Sequence, residues 1–422
     1  MRNLSLLKEF ISGLLKNFYH RLRAEAAMIF YGFPHKELKI IGVTGTDGKT
    51  TTSNLICSIL RAGGKRTGLI STVGAKIGNN TYDTGFHTTS PEPFLLHKFL
   101  RLMVKRGCEY AILEVTSHGL EQCRFFGINF EISVLTNITH EHLDYHKSFE
   151  NYIKAKAKLF NLSKKAILNR DDSSYEKIRK YIKKDVKIVP YSVFSATPKV
   201  LRAIKERFKG EFYNYSNATA AYVIARNLGI DNNTIVDSIK SFQGVHGRME
   251  EIKNSKGLRV IVDFAHTPNA LEQVLKALHK QVHKRGKLIS VFGCAGERDV
   301  AKRAMMGEIS TRLADVSVFT AEDPRNEDVN KIIDQMVGGT KKVKTKEVTK
   351  NYFDDLNHRS IRYLFIRIPE RGEAISFVIQ KIARRGDTIV ICGKGHEKSM
   401  AIGDKEYPWS DIKAVKGALV NE

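Results

Sequence analysis

Residues 42–52 read Gly-Val-Thr-Gly-Thr-Asp-Gly-Lys-Thr-Thr-Thr and follow the largely apolar run Leu38-Lys39-Ile40-Ile41. A buried strand, a glycine-rich turn, a lysine, a hydroxyl cluster and then an apolar helix (Leu55, Ile56, Ile59, Leu60) come in the order a nucleoside triphosphate requires. Gly45 and Gly48 let backbone N–H groups close around phosphate oxygens. Lys49 reaches the outer phosphates, Thr50 holds Mg2+, and the helix N-terminus adds favourable partial charge. Gly45, Thr46, Asp47, Gly48, Lys49, Thr50 and Thr51 are therefore the expected ATP contacts here. Val43 stands where the general pattern has a glycine. An ordinary strand–turn–helix is the alternative, disfavoured because Gly48-Lys49-Thr50 falls at the strand-to-helix junction.

Outward from this loop, residues 38–245 alternate strand-like and helix-like stretches, which implies a mainly parallel sheet. Expected strands are Lys39–Val43, Ala111–Val115, Ile132–Thr136, Ala166–Leu168 and Ile188–Tyr191, with helices such as Glu92–Lys105 and Glu150–Phe160 between them. Ligands on such a sheet sit at the carboxyl ends of the strands, so the loops after Val43, Val115 and Thr136 are the places for chemistry. Glu114 closes the second of these strands, where a carboxylate can share Mg2+ with Thr50; a merely solvated Glu is the bland alternative. Thr136–His146 packs three histidines, Glu141 and Asp144 into one loop, a density that favours a metal or phosphate site over a polar surface loop. On Asn151–Phe160, the lysines at 154, 156 and 158 read by themselves as a solvated basic face.

A second alternating pattern starts near Leu258, with strands expected at Arg259–Asp263, Leu288–Phe292, Val316–Thr320 and Thr388–Ile391. The fold expected is thus α/β: an N-terminal helical segment at 1–37, a P-loop, mainly parallel central domain at 38–245, and a smaller Rossmann-like α/β C-terminal domain at 246–422. Polar motifs end several strands of the second sheet and would face the nucleotide if the two domains oppose each other across a cleft.

At 422 residues, with hydrophobic residues at 42%, the chain supports two or three full cores. The five scattered cysteines lack C-x-x-C spacing and read as free thiols in a reducing, cytoplasmic setting. No stretch is apolar enough to span a bilayer. The N-terminal run (Leu4, Leu6, Leu7, Phe10, Ile11, Leu14, Leu15, Phe18) is apolar at helical spacing; it is expected to pack on the body, with weak contact to an anionic membrane surface as a second reading. The net charge of +24 suggests nucleic acid, but no recognition module accompanies it, so a lysine-rich composition serving anionic small substrates is preferred.

The order of motifs resembles the Mur ligase family of ATP-dependent amide-bond-forming enzymes, and within it the MurE type. The resemblance runs from about residue 38 to 417 through GVTGTDGKTT, TTSPE (88–92), EVTSHGLEQCR (114–124), TNITHEHLDYH (136–146), YIKAKAKLF (152–160), NYSNATAA (214–221), GVHGRME (244–250), VDFAHTPNAL (262–271), VFGCAGERD (291–299), EDPRNE (322–327) and GKGHE (393–397). It implies that ATP phosphorylates the carboxylate of a UDP-N-acetylmuramoyl dipeptide and that a diamino acid, meso-diaminopimelate above all, attacks the acyl phosphate. Two Mg2+ ions are implied, one held by Thr50 and Glu114, the other by His142 and a carbamylated Lys156. Lys49, Lys156, His142 and Glu114 would form the reaction centre, with Asn217 on adenine, Arg248 on the phosphates, Asp263 on the ribose and His266 beside it. Thr88, Thr89, Thr116, Gln122 and Arg124 match positions for the UDP-muramoyl substrate. Arg298, Asp323, Pro324, Arg325, Gly393 and Glu397 match the amino-acid pocket, where Arg325 suits a far carboxylate that L-lysine lacks.

Three departures stand out. Only 41 residues precede Gly42, where the family places a uridine-gripping domain. His87 replaces an Asn, and Glu322-Asp323 replaces Asp-Asn, which is expected to add negative charge beside the amino-acid pocket. The competing readings are a ligase for L-lysine or another diamino acid, a folylpolyglutamate synthetase, and a nucleic-acid-stimulated P-loop ATPase. A monomer, with no nucleic-acid partner, is expected.

Overall fold

In the computed structural model, residues 2–85, 89–139, 141–282, 286–353 and 363–420 are described. They fall into two units, one of residues 1–139, 146–208 and 213–242, the other of 140–145, 209–212 and 243–422.

The first unit opens with a long helix, α1 (Arg2–Phe30), followed by strand β1 (Lys39–Thr44) and helix α2 (Lys49–Ala62). β2 (Thr67–Ser71), β3 (Gly74–Ile77), β4 (Asn80–Tyr82), α3 (Pro93–Lys105), β5 (Tyr110–Glu114), α4 (Ser117–Glu121), β6 (Phe130–Leu135), α5 (Leu143–His146), α6 (Phe149–Phe160), β7 (Ser163–Asn169) and β8 (Lys187–Tyr191) come next. The sheet order is β4-β3-β2-β5-β1-β6-β7-β8, parallel from β2 to β8, with β3 and β4 added antiparallel. β1 lies between β5 and β6, pairing Val43 with Glu114 and Thr44 with Leu135. A central parallel strand is covered on both faces, which is why Ile40, Ile41 and Val43 form an apolar run and are all buried. Gly42 interrupts that run for a packing reason: a Cβ there would meet Leu159, Phe130 and Ser133 at 2.9 Å. The bare backbone lets α6 lie close to β1.

The sequence pattern misses β2 to β4. Thr67–Ser71 is buried along its whole length and Gly74–Ile77 is only four residues, so neither shows an alternating period.

The second unit has β9 (Glu250–Ile252), β10 (Arg259–Asp263), β11 (Leu288–Phe292), β12 (Val316–Phe319), β13 (Lys346–Glu347), β14 (Leu364–Arg367) and β15 (Thr388–Cys392). Their order is β13-β14-β12-β11-β15-β10-β9, with only β9 antiparallel. A separate hairpin, β16 (Ser399–Ile402) and β17 (Lys405–Pro408), is one the sequence pattern does not announce. Behind the strand ends, the buried Arg371 makes two 2.7 Å contacts to Asp411 and donates to the carbonyls of Ala321 and Cys392. Every donor of this buried cation that points at an acceptor ties one loop to another, so it fixes the loops after β12 and β15.

Candidate active site

In the first unit, the loop after β1 is held by the loop after β6. Thr46 N–H donates to the Asn137 carbonyl (2.9 Å), Asp47 N–H to Asn137 Oδ1 (2.9 Å), and Thr136 Oγ1 to the Asp47 carbonyl (2.6 Å). Thr46 Oγ1 also lies 3.1 Å from the Tyr152 hydroxyl on α6. Gly45 and Gly48 have φ of 155° and 82°. A Cβ at Gly45 would sit 1.8 Å from Thr136 Oγ1, and one at Gly48 2.3 Å from Asn217 Oδ1, so neither position admits a side chain. Lys49 Nζ donates to the Thr46 carbonyl at 2.7 Å, folding the lysine over the loop, and Thr51 lies in the first turn of α2. Asn217, expected on adenine, is buried with its side chain against Gly48 and donates to Asn214 Oδ1 (2.9 Å).

The carboxylate of Glu114 is 2% exposed and accepts three hydrogen bonds. Thr50 Oγ1 reaches its Oε1 at 3.0 Å, Thr72 Oγ1 the same oxygen at 2.9 Å, and Thr72 N–H reaches Oε2 at 3.0 Å. Glu114 is therefore not a solvated strand end. Thr50 and Glu114 supply oxygen donors side by side at a phosphate loop, which fits a hard divalent cation. Thr72 was invisible in the sequence; nothing in Ser71-Thr72-Val73 marks it.

Lys156 corrects the reading of its helix as a uniform basic face. Lys154 and Lys158 do reach solvent and pair with Glu150 (2.9 Å) and Glu121 (2.8 Å). Lys156 is 1% exposed, donates to the Gly45 carbonyl at 2.7 Å and lies over the Tyr152 ring at 4.5 Å. The histidine-rich loop also divides. His146 is buried and lies 2.9 Å from Ser117 Oγ, a packing role. Within the second unit, Glu141 is buried 3.5 Å from Lys302 Nζ and 3.9 Å from His142 Nδ1, and His142 has φ 57°. His140 lies outside the described residues. Among the described residues no three His, Cys, Asp or Glu side chains converge as a metal cage.

Residues matched to the UDP-muramoyl substrate gather around Ser90. Thr116 caps α4 by accepting from Gly119 N–H (3.0 Å) and donates to Ser90 Oγ (3.0 Å). Arg124 donates to the Ser90 carbonyl and to Gln122 Oε1 (3.0 and 2.6 Å), and pairs with Glu92 at 2.7 Å. Thr89 Oγ1 lies 3.1 Å from Thr72 Oγ1, linking this cluster to Glu114. Thr88 and His87 lie outside the described residues.

In the second unit, Gly247 passes so close to the Gly393–Glu397 loop that a Cβ would lie 2.1 Å from His396 N. Arg248 stacks on Phe264 (4.4 Å), and the buried Asp263 accepts from Met249 N–H (2.7 Å) and Ala265 N–H (2.8 Å). His266 Nδ1 lies 2.9 Å from the Phe264 carbonyl, and its own carbonyl accepts from Lys302 at 2.9 Å. Arg248, Asp263 and His266 are thus assembled in one place.

The amino-acid candidates also converge. Arg325, with φ 50°, donates from Nη1 to the Gly296 carbonyl (2.5 Å), and its backbone N–H bonds Ala401 (3.0 Å). Gly296 meets the Pro324 carbonyl, where a Cβ would fall at 2.0 Å. Arg298 still reaches solvent at its side chain. Burial of its guanidinium, and after it the like charge of Arg325, lower its pKa from the ordinary arginine value, while Asp144, Asp323 and Glu141 act the other way. Asp323 Oδ1 accepts from Lys394 Nζ (2.6 Å) and Ala401 N–H (2.9 Å), and Lys394 also pairs with Glu397 at 2.6 Å. Burial pushes Glu322 up to about 7 against the pull of Lys302. The expected surplus of negative charge at Glu322-Asp323 is therefore reduced. A buried lysine salts one carboxylate and desolvation favours the protonated form of the other. Buried Lys302 carries no sequence signal, because lysine is ordinarily exposed; Lys394 has one, its place within the GKGHE motif at 393–397.

A P-loop α/β unit followed by a second, mostly parallel α/β unit, with these clusters on each, defines a nucleotide-dependent ligase fold. The family model for the Mur ligase middle domain matches residues 43–222, and that for the Mur ligase glutamate ligase domain matches residues 247–395. The chain belongs to the Mur ligase family. It is 37% identical to a UDP-N-acetylmuramoyl-L-alanyl-D-glutamate–2,6-diaminopimelate ligase of Clostridium acetobutylicum, over 93% of this chain and 80% of that protein. Its identity to the Geobacillus kaustophilus ligase of the same name is also 37%, over 95% and 83%. A solved structure of a 2,6-diaminopimelate ligase of this name matches at 31% identity with TM-score 0.57, covering 94% of this chain and 82% of that one. A folylpolyglutamate synthase from Mycobacterium tuberculosis, solved with ADP and AMPPCP, matches at TM-score 0.68 and 16% identity over 98% and 99%, which shows the shared fold alone. These relatives are ligases, and the nucleic-acid-stimulated ATPase reading of the charge finds no support among them.

Proposed function

We propose that this chain is an ATP-dependent ligase that adds meso-diaminopimelate to UDP-N-acetylmuramoyl-L-alanyl-D-glutamate, working as a cytoplasmic monomer. The observation that supports the choice of acceptor is the place of Arg325: its backbone N–H is held by the Ala401 carbonyl (3.0 Å) and its guanidinium reaches the Gly296 carbonyl (2.5 Å), on the loop that carries Arg298. An arginine so placed can pair with a carboxylate, and a diamino diacid brings a second one that L-lysine does not have.

The chemistry follows from the residues. The glutamyl carboxylate of the dipeptide attacks the γ-phosphorus of ATP, the bond to the β–γ bridging oxygen breaks, and ADP leaves. The amine of the acceptor then attacks the acyl phosphate, loses a proton, and expels inorganic phosphate from a tetrahedral intermediate. Lys49 and the N–H groups at the start of α2 take up phosphate charge, so that the loop acts by positioning and neutralisation. Mg2+ would be held by Thr50 and Glu114 at one position and by His142 and carbamylated Lys156 at another, and would supply further charge neutralisation at the phosphates. Thr89, Thr116, Gln122 and Arg124 orient the UDP-muramoyl chain, and Asp323, Lys394 and Glu397 shape the acceptor site. The test is an amino-acid panel with purified protein, ATP and the UDP-muramoyl dipeptide, read by mass of the UDP product. A mass increase with diaminopimelate supports the reading; product with L-lysine alone, or with no diamino acid, overturns it.

A further inference from the structure

Over residues 16–30, α1 carries apolar side chains on the side that faces away from the protein. On its body-facing side Ala24 and Ala27 are fully buried, Met28 nearly so, and His20 and Arg23 partly. This side packs on α3, and it is fastened by Arg23 to Glu92 (3.3 Å) and by Arg21 over Phe126 (4.6 Å). At 100° per residue, Phe18, Leu22 and Ile29 lie roughly opposite Ala24, and they are 61, 46 and 66% exposed. Tyr19 and Phe30 flank them, and exposed Phe94 joins Phe30 at 6.1 Å between ring centres. In the sequence, apolar residues at 4, 7, 11, 14 and 15 continue the same three-and-four spacing toward the N-terminus. A surface helix normally turns this stripe to its own core.

We propose that α1 lies on an anionic phospholipid bilayer, its apolar stripe between the acyl chains and its cations among the headgroups. Charge complementarity selects this occupant. Residues 1–30 hold Arg2, Lys8, Lys16, Arg21 and Arg23 against Glu9 and Glu25; Arg23 is engaged with Glu92 and Arg21 with Glu25 (2.9 Å), so the attraction comes from the remaining positive surplus of the segment and from a chain of net charge +24. A second copy of the chain would bring the same positive charge to the stripe, whereas an anionic lipid surface is attracted to it. Among the described residues no helix is long and apolar enough to cross a membrane. An amphipathic helix rich in Phe, Tyr and Leu with Lys and Arg beside them instead binds in the interfacial plane. The ligase would thereby be concentrated at a lipid surface without being inserted.

The test is co-sedimentation of the full chain with vesicles of pure phosphatidylcholine and of phosphatidylcholine with phosphatidylglycerol, at low and high salt. Binding is expected only to the anionic vesicles and is expected to weaken as salt rises. The triple variant Phe18→Ser, Leu22→Ser, Ile29→Ser should lower the partition coefficient at least tenfold while ATP-dependent synthesis in solution is retained, since these side chains lie on the solvent side of the helix. Failure to bind anionic vesicles at low salt overturns the proposal. So does binding that the triple variant leaves unchanged, which would make the general positive charge sufficient. A mass that doubles with concentration in the wild type and not in the triple variant, without vesicle binding, assigns the stripe to a second copy and also overturns it.

Discussion

The carboxylate of Glu114 separates a structural from a chemical role more cleanly than any other group in the site. Consider Glu114→Gln. The native oxygens accept from two hydroxyls, Thr50 and Thr72, and from one backbone N–H, that of Thr72. If the new amide places its oxygen toward the Thr72 N–H, its nitrogen faces two hydroxyls, which can rotate from donor to acceptor. No buried group is then orphaned, and the cost is the difference between charge-assisted and neutral hydrogen bonds, about 1 kcal/mol. Glu114→Ala, by contrast, strands a buried N–H and two hydroxyls and should cost about 2–4 kcal/mol. If Glu114 is also a ligand that helps neutralise transferring phosphate, the Gln variant should lose about 100- to 1000-fold in kcat, the scale for removing one preorganised electrostatic partner. Its Mg2+ requirement should also rise. The assay pairs urea unfolding with coupled detection of ADP release across a Mg2+ titration. A Gln variant that stays within about threefold of wild type in kcat at every Mg2+ concentration would refute the ligand role. So would a rate loss that merely follows the fraction unfolded.

Three further outcomes are expected. Lys156→Ala should abolish synthesis without rescue by bicarbonate, measured by product mass; full activity would exclude a carbamate at this buried lysine. Arg325→Ala should cost about 10- to 100-fold in kcat/KM with diaminopimelate, the range of a lost charge-assisted pair, and far less with L-lysine; equal losses would show that Arg325 does not read the far carboxylate. Finally, His97 is fully buried, neither ring nitrogen has a hydrogen-bond partner, and burial lowers its pKa from 6.5 to about 4. Because the unfolded chain binds the proton more readily, this contribution is intact above pH 6.5 and is lost as pH falls toward 4, by about 3 kcal/mol in all. His97→Leu should flatten that part of the stability–pH curve, and an unchanged slope in urea titrations from pH 7 to 4 would contradict the assignment.

Much of the fold was legible because local chemistry and buried position coincide. The strand at Lys39–Thr44 is apolar because both faces are covered, and its glycine turn is where no side chain fits. The motif order then sufficed for the family. The polar clusters were less legible, because the partner of each residue lies far away in the chain. Thr72 stabilises Glu114 from 42 residues upstream, and Lys302 meets Glu141 across 161 residues.

The sequence alone determined the phosphate loop, the alternation of strands and helices, and the strand ends that carry chemistry, since each depends on residues within one element and its adjoining turn. Only the tertiary structure decided which way those residues face. One lysine of three on α6 is buried, because bare Gly42 brings that helix against β1 and the Gly45 carbonyl waits there, 111 residues away. The acidic pair at 322–323 carries less charge than its sequence suggests because Lys394, 71 residues on, is folded against Asp323 and because Glu322 is buried. And the apolar stripe of α1 looks outward, because a helical period records which residues share a face but not which face meets the protein.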